Sequence, residues 1–212
     1  MNIVLIGASG FIGSSLLEEA LTRGHQVKAL VTRPERVASR DSLSVEKSDV
    51  MNTAALTEQL KGADVVLSAF SGHAQEDVYD YYLKGFESIL SATQSAGVPR
   101  LLIVGGAGSL EIAPGQLLID TAEFPAMYKP TAEGARTALK QLRAQTAQTW
   151  TMLSPAAEIF PGERTAQFRL STDTLLTDAE GNSRISVQDY AIAMLDELEN
   201  PQHSNSRFAV AY

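Results

Sequence analysis

The sequence predicts an α/β fold: a doubly wound, mostly parallel sheet with helices on both faces and a small C-terminal cap region. Three observations lead there. Short β-rich runs alternate with amphipathic helical patterns from the N-terminus onward. The opening run Asn2–Ile6 is apolar at nearly every position, as a strand covered on both faces must be. A glycine-spaced turn, Gly7 to Gly13, then joins that run directly to the first helical pattern. At 212 residues, a single domain over 1–212 is expected.

The elements follow in order. In Phe11 to Arg23, apolar residues recur four apart (Ile12, Leu16, Ala20; Leu17, Leu21) while Glu18, Glu19 and Arg23 face water, and Gly24 ends the helix. Strands are expected at Gln26–Val31, Leu43–Glu46 and Asp64–Phe70, with a helix over Thr53–Leu60. Tyr82, Phe86, Ile89, Leu90 and Thr93 mark a long helix ending at Gly97. Arg100–Val104 reads as a fifth strand running into Gly105, Gly106 and Gly108. Ala135, Ala138, Leu139 and Leu142 form a helical stripe before a sixth strand, Thr149–Leu153. Residues 155–182 have no clear period and hold Pro155, Pro161, Gly162 and Gly181, so they read as a loop-rich segment on the substrate side. Ser186 and Asp189 have the spacing of a capping box for the last helix, and Arg207–Val210 reads as a final short strand.

Composition narrows the function. Seventeen basic against 25 acidic residues give a net charge of −8, a mean field that repels nucleic acid and anionic lipid. With no cysteine and only three scattered histidines, thiolate catalysis is excluded and no metal site is expected. No apolar run approaches the ~18 residues of a membrane span. The N-terminus lacks a basic leader, so a cytoplasmic protein is expected. A small-molecule acceptor is the expected partner, and the sequence names no protein partner.

The turn Gly7-Ala8-Ser9-Gly10-Phe11-Ile12-Gly13 carries the chemistry. Gly7 permits a tight turn, Gly10 a close approach of backbone to a pyrophosphate, and Gly13 close packing of helix on strand, while the helix N-terminus offers free N–H donors. This is the Rossmann-type arrangement for a dinucleotide, with Ser9, Phe11 and Ile12 completing the expected cradle. No Lys follows Gly13, which removes the alternative of a P-loop. After the second strand the chain reads Thr32-Arg33-Pro34-Glu35-Arg36. A carboxylate here would bind the ribose hydroxyls of NAD, whereas Arg33 and Arg36 suit a 2′-phosphate, so NADP(H) is favoured over NAD(H). Asp49 and Val50 follow the third strand, where they would edge the adenine or, for Asp49, cap a helix. Ala69, Phe70 and Ser71 end the fourth strand beside the expected nicotinamide ribose. Gly105 and Gly106 end the fifth, where backbone can approach the nicotinamide.

GASGFIG at Gly7–Gly13, VGGAGSL at Val104–Leu110, SPAAEIFPGERT at Ser154–Thr165 and NSRISVQDYA at Asn182–Ala191 give the chain a resemblance to an atypical member of the short-chain dehydrogenase/reductase superfamily. It resembles the group described as NAD(P)H-flavin reductases, related in fold to biliverdin-IXβ/flavin reductase. The resemblance implies an NADP-binding fold and reduction of flavin-like or quinone-like acceptors. One departure stands out: the superfamily's Tyr-x-x-x-Lys pair is absent, since no Tyr has a Lys four positions on and Tyr128 is followed there by Ala132. Ser109 and Tyr128 are the residual catalytic candidates, although without the Tyr-Lys pair Ser109 reads better as a binding or structural residue.

Hydride transfer to a flavin tolerates that loss, because the ring takes its proton from solvent and the protein need only hold two rings at reacting distance. Phe70, His73, Tyr128, Pro155 and Phe160 are the expected walls beside the nicotinamide, or simple packing residues. The expected activity is an NADPH-dependent reductase of a planar conjugated acceptor, flavin first, quinone or tetrapyrrole next. The alternatives are a non-catalytic NADP(H) redox sensor and a sugar-nucleotide epimerase or dehydratase.

Overall fold

A computed structural model describes residues 1–73 and 75–212. In chain order, β1 (Asn2–Ile6), α1 (Phe11–Thr22), β2 (Gln26–Val31), β3 (Leu43–Lys47), α2 (Thr53–Leu60), β4 (Val65–Ser68), α3 (Val78–Ser95) and β5 (Arg100–Val104) build the first part. A short hairpin, β6 (Glu111–Ala113) and β7 (Gln116–Leu117), precedes α4 (Lys129–Ala144) and β8 (Thr149–Ser154). Then come β9 (Glu158–Phe160), β10 (Arg169–Ser171), β11 (Arg184–Ser186), α5 (Val187–Glu199) and β12 (Ser206–Ala211).

Eight strands form one sheet in the order β10-β12-β8-β5-β4-β1-β2-β3. All neighbours run parallel except β10, which pairs antiparallel with β12. The unbroken apolar runs are explained by two cores. Ile3 and Leu5 of β1 face α1 and α5, whereas Val4 and Ile6 face α2, α3 and α4. From β1 the chain steps outward through β2 to β3 and then returns to β4 on the other side of β1. The sheet therefore reverses direction between β1 and β4, and at such a switch point the connecting loops diverge and leave a crevice at the carboxyl ends of the strands.

The predicted strands and helices are present, with differences at their ends. β4 spans Val65–Ser68 rather than Asp64–Phe70, because Ala69 and Phe70 leave the ladder toward α3. That helix begins at Val78, ahead of the apolar stripe, where the Asp77 carboxylate accepts the Asp80 N–H at 3.2 Å. Asp49 is not the cap of α2. Its carboxylate accepts the Met51 N–H at 3.0 Å, and Asn52 caps the helix by accepting from Ala55 at 3.1 Å. The 155–182 segment divides: β9 pairs with β11 in a separate small sheet, while β10 extends the main one.

The capping box at α5 is half made. Ser186 Oγ accepts the Asp189 N–H at 3.0 Å, but Asp189 does not reach back to Ser186. Its fully buried carboxylate accepts instead from Thr165 N–H (2.8 Å), Thr165 hydroxyl (2.5 Å), Ala166 N–H (2.8 Å) and the Tyr212 hydroxyl (2.8 Å). Arg164, one residue earlier, forks onto Glu19 of α1 at 2.9 and 2.8 Å. The segment after β9 is thus strapped to both helices of one face. Burial alone would push the Asp189 carboxyl up, yet these four donors hold it below the ordinary carboxylate value.

A lowered folded-state pKa stabilises the protein above the unfolded value of about 3.9, and the contribution fades as pH falls from there through the folded value. Asp189→Asn should lower the melting temperature at neutral pH by roughly 3–10 °C. Melting curves from pH 7 to pH 2 should show the gap to wild type closing below about pH 4; a gap of constant size would show that the carboxylate charge is not what holds the strap.

Candidate functional site

The crevice is set by the turn after β1. Gly7 has φ +82°, and its N–H donates to the Leu30 carbonyl at 2.9 Å, anchoring the turn to β2. A Cβ on Gly7 would stand 2.7 Å from the Ala69 carbonyl oxygen, so the ends of β1 and β4 meet at van der Waals distance. Gly13 lies tighter still, since a Cβ there would fall 2.0 Å from the Gly7 carbonyl oxygen. That contact draws the first turn of α1 down onto the loop. Gly10 is the N-cap and has no capping side chain, and the first turn holds no acidic residue. The N–H groups that open α1 are therefore left facing the crevice without the usual side-chain acceptor.

The predicted site residues fall in one line along the carboxyl edge of the sheet. Asp49 and Val50 follow β3, Thr32 and Arg33 follow β2, the glycine turn follows β1, Ala69 to Ser71 follow β4, Gly105 and Gly106 follow β5, and Pro155 follows β8. Those six strands are consecutive in the sheet, so the line spans roughly 24 Å at ~4.8 Å per strand. Arg33 and Arg36 are exposed and form no ion pair among the described residues. Val50 is buried in the core beneath this end, where its carbonyl accepts from Ser88 at 2.5 Å.

At the other end lies a cavity of about 590 Å³. Gly10, Phe11, Ile12, Gly13, Ala69, Phe70, Ser71, Gly105, Gly106 and Pro155 line it, together with Tyr128 and His73. Gly7, Ser9, Thr32, Arg33, Arg36, Asp49 and Val50 lie outside it, along the rest of the line. Phe70 forms part of the floor: its ring fits over Gly85, where a Cβ would stand 2.3 Å away, and it stacks on Tyr82 at 6.0 Å. Burial pushes the Tyr82 phenol up to about 12, so it keeps its proton. His73 Nδ1 lies 3.2 Å from Thr131 Oγ1, linking the loop after β4 to α4.

Two expected wall or catalytic residues lie elsewhere. Phe160 packs on Tyr212 and beneath the Arg184 guanidinium, away from the cavity. Ser109 is buried and faces the opposite way, its hydroxyl accepting from Arg207 Nη1 at 3.2 Å and its carbonyl from Nη2 at 3.3 Å. Arg207, only 4% exposed, also donates through Nε to Asp173 at 2.8 Å, and Arg143 pairs with the same carboxylate. Burial would raise the Asp173 carboxyl, but the two guanidinium groups hold it below its usual range. Ser109 thus serves as an anchor for the loop after β5. Tyr128 does reach the cavity, half exposed, with no lysine beside it among the lining residues.

The remaining wall was not read from sequence. Leu118, Thr121, Glu123, Phe124 and Pro125 come from the segment between β7 and α4, and Ile159 from β9. Phe124 and Pro125 are the only local signals there, and neither carries a period. Among the described residues no group of acidic or histidine side chains could hold a metal ion. Among the described residues no helix is long and apolar enough to cross a membrane.

Known proteins share this sequence and fold. The uncharacterised protein YwnB of Bacillus subtilis is 42% identical over 99% of this chain and 98% of its own. The structure of a proposed epimerase from Bacteroides thetaiotaomicron superposes with a TM-score of 0.94 at 46% identity, covering 100% of this chain and 96% of that one. That of a proposed NADH-flavin reductase from Streptococcus pneumoniae gives 0.88 at 34%, covering 100% and 99%. The pattern of the family described as NAD(P)H-binding matches residues 7–201, from the glycine turn past the end of α5. The chain belongs to this NAD(P)H-binding family and is oxidoreductase-like.

Proposed function

We propose that the protein is an NADPH-dependent reductase that passes hydride to a planar conjugated acceptor. The observation that carries this reading is the continuous line of residues running from the Arg33–Arg36 pair, past the uncapped start of α1, to the apolar cavity. The residues fit a dinucleotide. A side chain at Gly7 would strike the Ala69 carbonyl and one at Gly13 the Gly7 carbonyl, so glycine at both keeps the turn tight, and the opening N–H groups of α1 offer a diphosphate donors at the favourable end of the helix dipole. Gly7 to Gly13 would hold the diphosphate and Thr32, Arg33 and Arg36 the 2′-phosphate, with Asp49 beside the adenine. Ala69, Ser71, Gly105, Gly106 and Pro155 would flank the nicotinamide end.

When bound, the reduced nicotinamide supplies the hydride. The chain's part is then to orient and to exclude. Phe70, locked on Gly85 and Tyr82, gives a rigid floor. Phe124, Pro125 and Ile159 give apolar walls that displace water from the reacting face. Tyr82 is too weak an acid to protonate an acceptor, and a flavin or quinone can take its proton from solvent instead.

Epimerase chemistry is the second reading, favoured by the description of the Bacteroides thetaiotaomicron relative. Among the described residues the cavity offers no Tyr-Lys pair for it. NADPH absorbance followed with flavins, quinones and biliverdin separates the readings: turnover supports a reductase, while NADPH binding with no turnover points to a sensor or an epimerase. Arg33→Asp should weaken NADPH binding by roughly 10- to 100-fold, as expected for loss of a charge-assisted contact, and change NADH binding little. Equal losses for both coenzymes in calorimetric titration would remove Arg33 as the selector.

A further inference from the structure

The cavity has an uneven charge inventory. Among the described residues, no lysine or arginine lines it. Of its two carboxylates, Glu158 is held by Arg184 at 2.8 and 3.3 Å, so its charge is already offset. Glu123 is exposed on the turn between β7 and α4 and makes no ion pair among the described residues. The guanidinium on the neighbouring helix, Arg136, is taken by Glu133 and Asp120. Lys129 starts α4 but is exposed and outside the lining. His73, the one imidazole in the wall, is engaged by Thr131.

Beyond the start of α1, where the coenzyme diphosphate would sit, an anionic substituent entering this space loses hydration, meets no cationic side chain and approaches an uncompensated carboxylate. An uncharged ring loses nothing of the kind and gains the apolar walls. Resting on the reductase reading above, we propose that the cavity selects uncharged planar acceptors, a quinone or a flavin lacking phosphate, and that Glu123 rejects anionic ones such as flavin nucleotides and propionate-bearing tetrapyrroles. The reaction balances as NADPH plus quinone plus a proton giving NADP⁺ plus quinol. A C–H bond of the dihydronicotinamide breaks, its electron pair and hydrogen pass to the acceptor, and the second proton comes from water. Discrimination of this kind works by repelling the wrong ligand as much as by holding the right one.

The test uses acceptor pairs that share a ring and differ in charge: riboflavin with flavin mononucleotide, and 1,4-naphthoquinone with its 2-sulfonate. For the full-length protein, kcat/KM should favour riboflavin over the mononucleotide by at least about tenfold. The ratios matter more than the rates, because the sulfonate also changes the ring's reduction potential. Glu123→Gln should reduce both neutral-to-anionic ratios and Glu123→Lys should reduce them further, by about tenfold or more, mainly through a lower KM for the anionic member. Glu123 is exposed, so both variants are expected to fold, with melting curves as the check. Flavin mononucleotide used as well as riboflavin, or ratios unmoved by Glu123→Lys, would overturn the proposal while leaving the reductase reading intact. If neither member of a pair is turned over, the reductase reading falls; equilibrium dialysis of the same pairs against the NADP⁺-loaded protein then decides charge selection on its own, by the same ratios.

Discussion

The contact between Gly13 and the Gly7 carbonyl is the constraint on which the site depends. No side chain larger than hydrogen fits between them, since even a Cβ would lie 2.0 Å from that oxygen. The contact brings the start of α1 to the end of β1, while the Gly7 N–H ties the turn to β2 and the Gly7 Cα abuts the end of β4. Three strands and a helix are thereby fixed relative to one another at the point where the sheet reverses. Everything that lines the crevice is measured from that point.

The physical character of the crevice changes along its length. At the β2 end two arginines stand free in solvent, and in the middle lie backbone donors without side-chain competitors. At the β5 and β8 end the surface turns apolar, and its polar groups are few and mostly engaged. A ligand with one anionic end and one flat aromatic end matches that gradient. The support behind the apolar end is costly: Arg207 is buried, and its charge is tolerated because Asp173, Ser109 and Ser154 surround it. That cluster ties the loop after β5 to the last strand and to the chain near β10, which keeps the glycines at Gly105 and Gly106 in place.

Much of this was legible in the sequence, for identifiable reasons. Seven strands of the main sheet and the five helices announce themselves through local pattern, and the glycine turn through spacing that only one backbone geometry requires, whereas β10 falls in the segment read as loop-rich. Leucine and alanine four apart predicted α1 within one residue of its end. The illegible parts are those whose structure is decided by distant partners. The β6–β7 hairpin is held by Glu111, whose N–H donates to the Asp173 carbonyl and whose own carbonyl accepts from Leu175, some sixty residues away. The wall segment that follows contains only single-turn helices, which have no period to read. Ser109 illustrates the same limit: the missing Tyr-Lys pair already favoured a binding or structural role, but the partner that makes it an anchor is a guanidinium 98 residues onward. Asp189 had the right spacing for one role and found better donors in another.

The most direct measurement of the central claim is two-dimensional amide NMR of the protein during titration with NADPH. If the turn after β1 grips the diphosphate, the largest shifts will fall on the N–H groups of Phe11, Ile12 and Gly13, saturating together at one equivalent, while the Gly10 N–H stays bound to the Gly7 carbonyl. Shifts that leave those three amides in place, or no saturable change at all, would contradict the account.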